Sequence, residues 1–230
     1  MASKTLDFIQ IIYHESQREK CYPFAKVYFN ETLTDYFESK VIADLVPNSQ
    51  ADLISVCSWR LKQKRGDSST PMVLKGNIEL TEEKILNNDY DIAVLTPRTH
   101  RHQPLLMASQ WHGKAWDDAF NVLRKDFFPS VGIKIKSELS KAIYENHFIA
   151  KREIYHSYVN DCLKPAMEFI NAKMAVFGAD SGYVRKKRDQ REIKAYQEKS
   201  GRLDWPIAPF ILERLFSCYI EGKGYKIIDI

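Results

Sequence analysis

A chain of 230 residues, 44% hydrophobic and 28% charged, has the balance of a globular protein able to bury a core without staples, which excludes disorder as the default state. No stretch nears the roughly 20 continuous apolar residues of a membrane span, and Met1–Asp7 runs into Phe8–Ile12 without a cleavable leader pattern. The net charge of +4 is too small to announce a nucleic-acid surface, so nucleic acid is not an expected partner.

Taken in chain order, Leu6–Tyr13 is a short apolar run that predicts a buried first strand. The segment around Cys21-Tyr22-Pro23-Phe24 predicts a loop. Asp35–Leu45 carries Tyr36, Phe37, Val41, Ile42 and Leu45 at helical spacing, and Pro47-Asn48-Ser49 ends that helix. Asp52–Trp59 predicts a second buried strand and Gly66–Pro71 a turn. Thr81–Leu86 predicts a capped short helix, and Asp91–Leu95 a third strand stopped by Thr96-Pro97. Trp116–Phe127 predicts a helix with Asp117 and Asp118 favourable in its first turn. Asn146–Ala150 predicts a fourth strand.

Glu153–Phe177 is the longest helical pattern, with Pro165 expected to kink or break it. Gly178–Gly201 predicts a polar, basic excursion. Pro209 opens a helix striped by Ile211, Leu212, Leu215, Phe216 and Tyr219; Gly222 and Gly224 close it, and Tyr225–Ile230 predicts a terminal strand. Strands alternating with helices predict an α/β fold, a single domain whose mostly parallel sheet is flanked by helices. Its first part, 1–110, is the expected nucleotide-binding half and 111–230 the acceptor half. Ligands of such open sheets bind beyond the carboxyl ends of the strands.

Those ends carry the candidate chemistry. After the first strand come Tyr13, whose ring can stack on a base, and His14, able to hydrogen-bond ribose or phosphate; an incidental surface turn explains them equally. After the second comes Ser58-Trp59-Arg60-Leu61-Lys62, where Trp59 and Lys62 can grip a nucleotide by stacking and phosphate contact, or form a solvated loop around a core tryptophan. Asp89-Tyr90-Asp91 spells DxD, two carboxylates of the kind that hold Mg2+ or Mn2+ on a diphosphate. Here, however, the apolar strand follows the carboxylates, which would leave them at its wrong end. Past the other end lie Arg98 and Arg101, fixed cations able to neutralise a leaving diphosphate without a metal; metal independence is therefore the expectation. Three of the scattered cysteines, Cys21, Cys57, Cys162 and Cys218, sit in apolar runs and predict buried thiols in a reducing cytoplasm. Arg185–Arg188 and the stretch to Arg191 form a solvated charged face, or a contact for anionic membrane.

The later half adds a resemblance. Asn146-His147-Phe148-Ile149-Ala150-Lys151-Arg152-Glu153-Ile154-Tyr155, then Tyr158-Val159 and Leu163–Ala166, resembles a block of bacterial capsular and exopolysaccharide-biosynthesis proteins predicted to be GT-A-type glycosyltransferases. Pro209–Ser217, with Glu213-Arg214-Leu215 inside it, is similar to their terminal helix; Asp89–Ile92 and, more loosely, Ala51–Lys62 fall in the expected order. The resemblance implies a GT-A-like, Rossmann-related fold and transfer from a nucleotide-sugar donor to a glycan or lipid-linked acceptor, by a cytoplasmic protein or one peripheral at the inner membrane face. It brings Asn146 and His147 into the cleft from a strand edge, and Glu213 from the final helix as the general base. The competing expectation is a non-catalytic accessory protein that kept the fold, with Glu213 and Arg214 a structural ion pair.

Overall fold

The computed structural model describes residues 4–31, 36–62, 80–96, 104–135, 139, 143, 146–182, 194, 197–198 and 201–230. The first buried strand, β1 (Leu6–Ile12), is followed by a 3-10 turn over Glu15–Lys20 and by β2 (Lys26–Phe29). Helix α1 (Glu38–Leu45) leads to β3 (Leu53–Ser58), whose residues are all buried. Helix α2 (Glu82–Asn87) starts on Thr81, whose hydroxyl accepts from the Lys84 amide at 3.3 Å, the N-cap the sequence predicts. Then come β4 (Ile92–Val94), α3 (Pro104–His112), α4 (Lys114–Val122), β5 (Phe148–Lys151), α5 (Arg152–Tyr158), α6 (Lys164–Ala172), α7 (Met174–Phe177), α8 (Ala208–Ile220) and β6 (Ile227–Asp229).

These strands form one six-stranded sheet in the order β2-β1-β3-β5-β4-β6. Strands β2, β1 and β3 run parallel, as do β4 and β6, but β5 is antiparallel to both β3 and β4. The expected mostly parallel sheet is thus mixed. The reason is local: β5 passes straight from Lys151 into α5, so its residues enter the sheet from the edge at which β3 and β4 end. Because β5 lies between β3 and β4, the two sequence halves share one sheet. Strand β2, read as loop, is an edge strand with a mostly exposed face, so it carries no apolar alternation to betray it.

Alternation of side chains across the sheet divides the core in two. One face, from Ile11, Ile54, Val56, Ile92, Val94, Phe148 and Ala150, packs against α1, α4, α5, α6 and α8. The other, from Phe8, Leu53, Cys57, Ala93 and Ile149, is covered by Tyr22, Leu61 and Ile85. On the first face the ring of Phe216 stacks on Phe148 with centroids 3.8 Å apart and planes 6° off parallel, while Tyr158 meets Phe216 edge-on at 4.8 Å. All three rings are buried, as are all four cysteines, whose thiols are free.

Pro165 does not break its helix. The chain stays helical from Arg152 to Ala172 by passing through a π turn, Val159–Leu163, just before the proline. The wider turn accommodates a ring that lacks an N–H and would clash in a regular helix. No helix among the described residues is long and apolar enough to cross a membrane. The expected turn Gly66–Pro71 and most of the Gly178–Gly201 excursion, Arg185–Arg191 included, lie outside the described residues.

The aromatic stack is the joint between β5 and α8, so Phe216→Ala is expected to lower unfolding free energy by about 3–5 kcal/mol, read by chemical denaturation. Phe216→Leu, which keeps most of the volume, should cost less.

Candidate site at the carboxyl edge of the sheet

The carboxyl ends of the parallel strands and the entry to β5 meet along one edge. The register Ile11↔Ser58 continues to bring Tyr13 beside Arg60. The register Ile54↔Ala150 on one side of β5 and Ile92↔Ala150 on the other brings Asn146 between Ser58 and Thr96. Backbone bonds hold this edge: the Trp59 amide donates to the Ile11 carbonyl at 3.0 Å, and the Leu95 amide to that of His147 at 2.9 Å. Buried Gln10 braces it, donating to the Ser58 carbonyl at 3.3 Å and accepting from the Tyr22 amide at 2.6 Å.

Above the edge stand Glu38, the first residue of α1, and Glu213 of α8. Burial, then the charges of Glu38 and Glu213, hold the Tyr13 phenol well above its ordinary value, with Arg60 opposing; its hydroxyl has no hydrogen-bond partner among the described residues. Burial and the charge of Glu213 likewise raise the Glu38 carboxyl, against the Tyr13 hydroxyl and Arg60. Tyr13 and Glu38 are surrounded by protein on most sides yet keep part of their surface open. Glu213 is paired with its neighbour Arg214, and both side chains are largely buried.

Asn146 is 3% exposed and adopts φ 56°, a left-handed conformation that asparagine tolerates better than most residues. Its Nδ2 has no hydrogen-bond partner among the described residues, nor does the hydroxyl of buried Thr96. Two adjacent strand ends thus each offer a buried polar group whose bonding capacity is unused, an arrangement that requires water or a ligand as its counterpart.

No family model, no curated protein and no solved structure matches the chain. The site is therefore read from its own geometry.

Of the sequence-predicted residues, Tyr13, Trp59, Asn146, His147 and Glu213 belong to this edge, with different exposures. Trp59 is 8% exposed and packs with Ile12 and Cys21, under Lys20 and Arg60 at 5.0 and 5.4 Å from its ring centroid; it is a core residue with cations over it rather than an open stacking platform. His147 is fully buried, so its ring does not face an acceptor. His14 is a helix cap: its Nδ1 accepts from the Ser16 amide at 3.2 Å. Lys62 is exposed, 6.0 Å above the Tyr22 ring. Arg98 and Arg101 lie outside the described residues.

Asp89 and Asp91 do not join this set. They precede β4 and so lie at the amino edge, as the order of carboxylates and strand foretells. Asp91 accepts from Lys151 Nζ at 2.7 Å and from the Lys226 amide at 2.8 Å, and Asp89 from Lys226 Nζ at 2.7 Å. The Lys151 hydrogen bond, then the Lys226 amide, hold the Asp91 carboxyl below its ordinary value. Asp91 thus ties the start of β4 to β5 and to the segment entering β6, at the edge opposite Tyr13 and Asn146. Sequence reasoning missed Glu38 and Thr96. Glu38 carries only the weak signal of an acid in a helix's first turn, and Thr96, before Pro97, has the look of a strand stop.

Asp91 is half of a brace whose native carboxyl value is depressed. Its contribution is therefore present above the ordinary aspartate value of about 3.9 and is lost as pH falls through the native one. Asp91→Asn is expected to lower stability at pH 7 by about 1 kcal/mol, and denaturation at pH 3 should show a smaller difference.

Proposed function

We propose that the protein is a GT-A-like glycosyltransferase that moves a sugar from a nucleotide-sugar donor to a glycan or lipid-linked acceptor. The observation that carries the reading is the carboxyl edge itself, where the buried Asn146 amide and the Thr96 and Tyr13 hydroxyls keep unused hydrogen-bonding capacity. In open α/β sheets this edge is where nucleotides bind. From Tyr13 to Asn146 the edge crosses from β1 over β3 to β5, about 10 Å at strand spacing, room for a diphosphate and a sugar. The resemblance of Asn146–Tyr155 and Pro209–Ser217 to polysaccharide-biosynthesis proteins supports the same assignment, since both blocks contribute to this edge.

In this reading Arg60 meets the diphosphate; Arg98 and Arg101, outside the described residues, are the further cations expected to neutralise it. Asn146 and Thr96 hydrogen-bond donor hydroxyl or phosphate oxygens. Glu213 takes the acceptor hydroxyl proton as that oxygen bonds to the anomeric carbon; the bond from that carbon to the diphosphate breaks, and its electron pair leaves with the diphosphate. The cationic route is preferred to a metal-assisted one because Asp89 and Asp91 stand at the opposite edge, bonded to lysines. One observation favours the accessory-protein alternative: Glu213 is already bonded to Arg214, as a structural ion pair would be.

A thermal-shift panel of UDP-, GDP- and CMP-sugars separates the two. One donor is expected to raise the melting temperature by roughly 5–10 °C at a hundredfold excess over Kd. Asn146→Gly, which keeps the backbone conformation and removes the amide, should abolish most of that rise. Transfer of the stabilising donor's sugar should survive excess EDTA. Silence across the panel would sink the transferase reading, and EDTA-abolished transfer restored by Mn2+ would sink its cationic form.

A further inference from the structure

Two adjacent side chains at the carboxyl edge are buried polar groups with nothing to bond. Asn146 is 3% exposed and Thr96 8%, and neither the Asn146 Nδ2 nor the Thr96 Oγ1 has a hydrogen-bond partner among the described residues. The antiparallel ladder of β4 and β5 pairs Val94 with Phe148. The Leu95 amide, donating to the His147 carbonyl at 2.9 Å, carries that ladder one step further. Thr96 and Asn146 are the next pair in register, and opposed residues of such a ladder lie about 5 Å apart. On the other side of Asn146 the β3–β5 register brings Ser58, which is also buried. Its Oγ accepts from the Arg60 amide at 3.3 Å and keeps its own proton to donate.

Three strand ends thus present an amide between two hydroxyls, a row without formal charge. No cationic side chain among the described residues is hydrogen-bonded to any of the three. An anion buried against neutral groups alone bears a desolvation cost far above that of a hydroxyl, so a diphosphate fits this row poorly. Hydroxyls fit it well. One can accept from the Asn146 Nδ2 while donating to the Oγ of Thr96 or Ser58, and a ring carrying several engages the whole row. The backbone alone does not call for the amide: Asn146 holds φ 56°, a conformation that glycine adopts more readily.

We propose that Asn146, Thr96 and Ser58 form a subsite for an uncharged, hydroxyl-bearing sugar ring, and that the diphosphate of the donor lies away from it. The proposal deepens the transferase reading and rests on it only for calling this ring the transferred one. Along the edge the strands run β1, β3, β5, β4. The donor is therefore oriented with its diphosphate toward Arg60 and its sugar toward the ends of β5 and β4. The row then sets specificity, because an epimer that turns a hydroxyl away leaves the buried amide unpaired.

The test uses the full chain labelled with nitrogen-15 and follows the side-chain amide resonance that disappears in Asn146→Gly. The probes are the methyl glycosides of glucose, galactose, mannose and N-acetylglucosamine, and inorganic pyrophosphate. At least one glycoside is expected to shift that resonance saturably, and pyrophosphate to leave it unmoved. Thr96→Val should weaken the glycoside about fivefold to tenfold, whereas Thr96→Ser, which keeps the hydroxyl, should bind nearly as the wild type does. The backbone amide spectrum of each variant reports whether it has folded. A shift with pyrophosphate overturns the proposal, as does glycoside binding indifferent to Thr96→Val. So does a resonance that no probe moves, since a buried water then satisfies the amide. Glycoside binding with a silent nucleotide-sugar panel removes the transferase reading and leaves a sugar subsite. A stabilising donor without any glycoside response removes the subsite alone.

Discussion

The stacking of Phe216 on Phe148 is the contact on which the site's geometry depends. Phe148 opens β5 two residues after Asn146, and Phe216 lies one helical turn after Glu213 in α8. At 3.8 Å and nearly parallel, the two rings leave little freedom for sliding or rotation between strand and helix. Fixing them therefore fixes the amide of Asn146 relative to the carboxylate of Glu213, although those side chains are far apart in sequence. Tyr155 and Tyr158 pack around the same stack, so the joint is a four-ring block. Close-packed interiors transmit displacement rather than absorb it, and a shift at this block would be felt at the carboxyl edge.

The same block explains the mixed character of the blocks Asn146–Tyr155 and Pro209–Ser217. Some of their residues are the polar groups of the candidate site: Asn146 and Glu213. Others are the packing that aims them: Phe148, Tyr155, Leu215 and Phe216. Lys151 has a third duty at the far end of β5, bonding Asp91. A short strand running against its neighbours can serve both edges of the sheet, offering Asn146 at one end and Lys151 at the other.

Polarity is divided accordingly. At the amino edge, Asp89 and Asp91 are matched by Lys226 and Lys151, and the charges are spent on bracing. At the carboxyl edge, burial raises the Tyr13 phenol and the Glu38 carboxyl, Glu213 is paired with Arg214, and Asn146 and Thr96 keep unused hydrogen-bonding capacity. Unsatisfied or mutually perturbed groups disfavour a folded chain unless something binds them.

Much of this was legible in the sequence because it depends on short-range periodicity. The apolar runs of β1, β3, β4 and β5, the Thr81 cap, the stripe of α8 and the misplacement of Asp89 and Asp91 relative to their strand follow from residue order alone. Only the tertiary structure decided the rest. The reversal of β5 depends on which edge the chain enters from, and β2 is recognised by its partner because its own face is exposed. The burial of Trp59 and His147 reflects what packs over them, which local pattern does not encode. Glu38 has no distinguishing neighbour in sequence; the upward shift of its carboxyl comes from burial and from Glu213 on a distant helix, and electrostatic environment is a property of distance, not of order along the chain.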